Sequence, residues 1–135
     1  MIFQSKQTVT GKPVWEADTD TQTVRYRNPK TGKTERFMFH TDHIKYYLHH
    51  MEEKRPELLQ EIVDKGEIYR HLDEIDIKVT DAVNRQTELL MESNRDYQAA
   101  LMTGDLNKVG AIGNMLRSQV QNAVNDAMVY LWREV

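Results

Sequence analysis

The chain has 135 residues, 29% of them charged and 39% apolar, with a formal net charge of −3, which fits one globular domain with a single core and excludes a disordered chain. It contains no cysteine, which excludes disulfides, thiolate zinc sites and cysteine nucleophiles together. Met1 to Lys6 turn polar too quickly for a secretory signal, and no apolar run approaches the roughly 20 residues of a membrane span, so a soluble cytoplasmic protein is expected.

In chain order, the first forty residues read as short strands. Lys12–Ala17 and Thr23–Arg27 flank a polar turn at Asp18–Thr21, and a second turn at Asn28–Lys33 uses Asn, Pro and Gly where turns need them. Arg36–Phe39 completes a hairpin or three-stranded meander. Val24 and Tyr26 alternate with Arg25 and Arg27, the period of a half-buried sheet. So small a sheet must lean on helices.

Thr41 or Asp42 is placed to cap a helix carrying Ile44, Tyr47, Leu48 and Met51 on one side. Pro56 then opens a short helix running to Asp64, because its missing N–H costs nothing at a first helical position. Gly66 ends that helix in the left-handed conformation. From Glu67 the pattern predicts one helix to about Met102, roughly 50 Å long at 1.5 Å per residue. Its apolar stripe is Ile68, Leu72, Ile75, Val79, Val83, Leu90, Tyr97 and Leu101, with Gln86 and Asn94 as polar interruptions. After a turn at Gly104–Asp105 comes a second stripe, Leu106, Val109, Ile112, Leu116, Val120, Val124, Ala127 and Leu131. Steps of three and four place each set on one helical face, so an antiparallel helical hairpin is expected. Gly110 and Gly113 inside the last helix each cost about 1 kcal/mol against Ala, which a closely approaching backbone would explain.

The expected fold is therefore α+β and mostly α: an N-terminal β-hairpin or meander packed on a long helical hairpin, with two short helices. One domain is expected, with a basic head over residues 1–40 and an acidic helical body over residues 41–135. The head carries seven Lys/Arg against four Asp/Glu, and the body eleven against seventeen. That polarity points to a macromolecular partner.

Two sets of residues are candidates for contact. Arg25, Arg27, Lys30, Lys33 and Arg36 crowd one hairpin with Tyr26, Phe37 and Phe39 between them; cations with interleaved aromatics contact phosphates and stack on bases. A charged hairpin also protects a sheet edge from aggregation. Glu67, Asp73, Glu74, Asp76 and Asp81 form an acidic run on the long helix. This is either a solvated face or a row of carboxylates presented to a basic groove. His40, His43, His49, His50 and the Glu67/His71 pair lack the converging spacing of a metal site, so neither metal nor cofactor is expected. The helix–Gly66–helix rhythm resembles a helix-turn-helix, but acidic residues at its second helix would face phosphates, so a packing corner is expected instead. Catalytic motifs are absent from the sequence, and no enzyme is expected.

Tyr47-Leu48, Arg55, Leu58-Leu59 and the run Ile62 to Asp76 form one pattern, and Asn114 to Arg117 with Val120, Val124 and Met128 to Tyr130 form another. These patterns resemble the small TnpV-type proteins carried by transposons and conjugative elements of Gram-positive bacteria. Glu67 stands where that family usually has Lys, and His71 where it usually has Tyr; the basic head has no counterpart. The resemblance implies a mobile element in a bacterial cell and carries no catalysis with it. The expected function is that of a non-enzymatic accessory protein of a mobile element or phage, in particular an anti-CRISPR-type inhibitor of a host nuclease complex. One alternative is a DNA-binding or recombination-regulating protein using the basic hairpin. Another is a structural homodimer built on the outer parts of the stripes, including Met91, Met102 and Met128.

Overall fold

A computed structural model describes the backbone of residues 1–134 and the side chains of residues 1–127. The fold is α+β and mostly α, as expected. Six strands are followed by five helices. The strands are β1 (Ile2–Gln4), β2 (Thr8–Val9), β3 (Lys12–Pro13), β4 (Trp15–Asp18), β5 (Thr23–Arg27) and β6 (Thr34–Met38). The helices are α1 (Asp42–Lys54), α2 (Pro56–Asp64), α3 (Ile68–Ser93), α4 (Arg95–Thr103) and α5 (Leu106–Glu134). Packing divides the chain into two compact units, Met1–Asp76 and Ile77–Val135. The division falls at 76/77 rather than at the change of charge near residue 40, because α1 and α2 supply the sheet with the core it cannot make alone.

In the first unit, β1, β4, β5 and β6 form an antiparallel four-stranded sheet in that order. The cross-strand row Phe3, Ala17, Val24 and Phe37 lies on one face, and its first three members are buried. β1, which the sequence pattern did not announce, fastens to α2: the Gln60 side-chain amide donates to the Gln4 carbonyl at 2.7 Å, and the Asp64 carboxylate accepts from the Lys6 amide at 3.0 Å. The strand expected over residues 12–17 is broken at Val14. Pro13 has no N–H to offer a ladder, and the Val14 amide turns to the Gln7 carbonyl instead.

α1 buries Ile44, Tyr47, Leu48 and Met51 as its pattern requires, and His43 with them. Thr41 occupies the N-cap position without capping; its hydroxyl donates to Asp76 at 2.8 Å. Pro56 opens α2. Gly66, at φ +72°, closes it: the Glu67 amide donates to the Ile62 carbonyl and the Gly66 amide to that of Val63, the paired bonds of a Schellman motif. Ile68 and Leu72 follow, both fully buried, which makes this junction a packing corner.

In the second unit the single helix expected from Glu67 to Met102 is two helices. Asn94 takes an extended conformation (φ −82°, ψ 117°), and its side chain accepts from the Tyr97 amide. The polar interruption at Asn94 is an N-cap, because its short amide satisfies a free N–H better than it fills an apolar seam. Of the first stripe, Val79 and Val83 are buried, but Leu90 and Leu101 are exposed. Thr87 takes the buried place between them, its hydroxyl satisfied by the Val83 carbonyl at 2.6 Å. In the second stripe Leu116, Val120 and Val124 are buried, whereas Leu106 is exposed and so is Ala127; the side chains of Met128 and Leu131 lie outside the described residues. Gly113 faces side chains rather than a backbone: a β-carbon there would lie 3.3 Å from Met91 Cε, while one at Gly110 would meet open space.

Candidate functional site

The hairpin cations occupy the sheet face opposite the aromatics. Glu16, Arg25 and Arg36 form one cross-strand row, and Trp15, Tyr26 and Glu35 form the next. Because alternate residues of a strand point to opposite faces, Tyr26 lies on the packed side, where its ring sits 4.6 Å from that of Trp15. Phe37 and Phe39 pack on Tyr69 at 4.3 Å and 6.0 Å. The expected platform of interleaved cations and aromatics is therefore separated into two faces. Arg25 and Arg36 are exposed beside Glu16, with Lys30 and Lys33 exposed on the following turn. Arg27 is half-buried, with one guanidinium nitrogen 3.4 Å from the Gly32 carbonyl and its Nε buried without a hydrogen-bond partner. It belongs to the turn rather than to an open surface.

The acidic run divides as well. Glu67 and Glu74 are exposed, and Glu67 lies 3.6 Å from Arg70. Asp81, in the second unit, is exposed too, with Lys78 and Arg85 within a turn of it. Exposed carboxylates mixed with cations make a solvated face. Asp73 and Asp76 differ. One helical turn apart and only half-exposed, they share a stripe of α3 with Tyr69 and line a groove of about 560 Å³.

The opposite wall of that groove is the consecutive run from Arg36 to Thr41. Arg36, Phe37 and Met38 of this run belong to β6, and because consecutive strand residues point to opposite faces, a cavity touching all three reaches the strand's edge. β6 is the terminal strand of the sheet, and its outer edge is unpaired among the described residues. Asp76 is fixed in this groove by two donors on one oxygen: the Thr41 hydroxyl at 2.8 Å and Nε2 of His43 at 2.5 Å. His43 is only 3% exposed, so Asp76 supplies the acceptor for a ring that water does not reach.

His71 is the second histidine drawn into packing. Its Nε2 lies 2.5 Å from the Tyr47 hydroxyl. Burial lowers the His71 pKa against the opposing pull of Glu74 and Glu67, and burial raises that of Tyr47, so a neutral imidazole faces a neutral phenol. Among the described residues no three His, Cys, Asp or Glu side chains converge as a metal site. No helix among them is long and apolar enough to cross a membrane.

The second unit contributes an apolar groove of about 390 Å³ between α3 and α5, lined by Gln86, Leu89, Leu90 and Val120 among others. Met102 and Leu106 near the turn are also exposed.

No protein-family model matches the chain, and no curated protein or solved structure matches it.

Proposed function

We propose that this chain is a non-enzymatic accessory protein of a bacterial mobile element or phage that works in the cytoplasm by binding a macromolecule, as an anti-CRISPR-type inhibitor of a host nuclease complex. The observation that carries this reading is the groove holding Asp73 and Asp76 beside the edge of β6. Surfaces of nucleases that hold phosphates are rich in Arg and Lys, and half-buried carboxylates next to aromatic rings are suited to meet them. The exposed acids Glu67, Glu74 and Asp81 add long-range attraction and carry less specificity. The test is a reconstituted nuclease complex assayed for cleavage with increasing amounts of this protein. Inhibition that survives charge reversal of Arg25 and Arg36 and weakens on Asp73→Asn supports the reading; undiminished cleavage by every complex tried opposes it.

A second reading rests on the cross-strand pair Arg25 and Arg36 with Lys30 and Lys33 beside it. These cations suit phosphate contact by a DNA-binding or recombination-regulating protein. Such binding would fall steeply with salt, and no retention on duplex DNA at low salt would dismiss it. A homodimer is the third reading, favoured by the exposed Leu89, Met102 and Leu106; light scattering across a concentration series tests it.

A further inference from the structure

We propose that the groove between β6 and α3 binds an arginine side chain carried on an extended segment of a partner protein. This rests on the reading that the chain acts by binding a protein, and it names the chemistry of the contact. The groove has a direction. Phe37 stacks near Tyr69 at one end, and Thr41 reaches Asp76 at the other, so Arg36 flanks the aromatic end and the carboxylates define the opposite one. A cation is repelled near Arg36 and attracted near Asp73 and Asp76.

Three features select arginine. The carboxylate of Asp76 is already held in place by Thr41 and His43, so a ligand does not have to order it. Asp73, one turn away and half-exposed, forms no ion pair among the described residues. Two carboxylates beside an aromatic wall suit a planar guanidinium, which bonds carboxylate oxygens in a fork and stacks on ring faces; an ammonium is a point charge and does neither as well. The remaining requirement is a backbone. The unpaired edge of β6 offers main-chain donors and acceptors along the same groove, so an extended segment can add as a further strand while its arginine enters the acidic end. At about 560 Å³ the space is within the usual range for a binding site, about 300–1,000 Å³.

The experiment titrates the full chain with a capped pentapeptide of threonine and valine around a central arginine, and with the same peptide carrying citrulline, which keeps the shape and removes the charge. Binding is read by calorimetry and by amide NMR shifts. The expected result is saturable binding of the arginine peptide with shifts along β6 and the start of α3. Affinity should fall at least about tenfold for citrulline and for Asp73→Asn, and Phe37→Leu should also weaken binding. A melting curve for each variant separates loss of the contact from loss of the fold. Equal affinity for citrulline, no effect of Asp73→Asn in a folded protein, no saturable binding, or shifts confined elsewhere would each overturn the proposal. Nuclease inhibition without arginine-peptide binding would leave the functional reading standing and remove this one; peptide binding without inhibition of any complex would do the reverse.

Discussion

The indole Nε1 of Trp15 lies 2.9 Å from where a β-carbon on Gly66 would be. A residue at the start of β4 thus closes over the left-handed turn that ends α2, and Gly66 is required twice: by its φ of +72° and by the ring above it. Gly66→Ala should cost about 1–2 kcal/mol from backbone conformation alone, and more from displacing the indole. A lowered urea midpoint measured by circular dichroism checks this; a fall no larger than the backbone cost would mean that the ring moves aside freely, and an unchanged midpoint would refute both.

Removing the Asp76 carboxylate should be costly despite its partial exposure. Asp76→Ala leaves His43 and Thr41 without their common acceptor, and a buried polar group so abandoned costs about 1–3 kcal/mol. Asp76→Asn keeps an acceptor oxygen and should lose less. Denaturant melts of the two variants give the comparison.

Acidification should weaken the first unit through His71. The unfolded chain holds a proton on this imidazole more tightly than the folded one, because burial lowers the folded value. Its contribution is therefore complete above the ordinary imidazole pKa of about 6.5 and is lost as pH falls toward the lowered folded value. Protonation also makes Nε2 an obligate donor toward the Tyr47 oxygen. Between pH 7.5 and 5.5 the wild type should lose more stability than His71→Gln, as read from urea midpoints at each pH.

Asn94→Ala should destabilise the second unit by about 1 kcal/mol, the usual worth of an N-cap, and Asn94→Asp should not. Faster amide exchange at Tyr97, whose N–H the Asn94 side chain now accepts, is the local signature to measure.

What was legible in the sequence was largely local. Pro56 opens a helix and Gly66 ends one because each imposes its own backbone geometry, whatever packs around it. Ile44, Tyr47, Leu48 and Met51 lie on one buried face because helical spacing alone puts them there. β1 is not legible in the sequence because three residues carry little pattern and their partners on β4 are some fourteen positions away. Asn94 was ambiguous in principle: the same amide can sit in a seam or cap a new helix, and the choice depends on packing around it. The strand alternation that separates Tyr26 from Arg25 is visible in the sequence, but closeness along the chain does not place two residues on one face. Asp73 and Asp76 looked no different from Glu74 until β6 and α3 came together, since nothing in local composition tells which carboxylates of a helix will border an unpaired strand.

The interruption at Asn94 has a further consequence for the second unit. In an unbroken rod each inserted residue turns everything after it by about 100°, so the angular phase of the return helix would depend on every position before it. Here α4 restarts at its own cap and stops again at Gly104, whose φ is +71°. Rotational error is therefore reset between α3 and α5, and lengthening the end of α3 by one residue should leave the seating of Leu116 and Val120 in place.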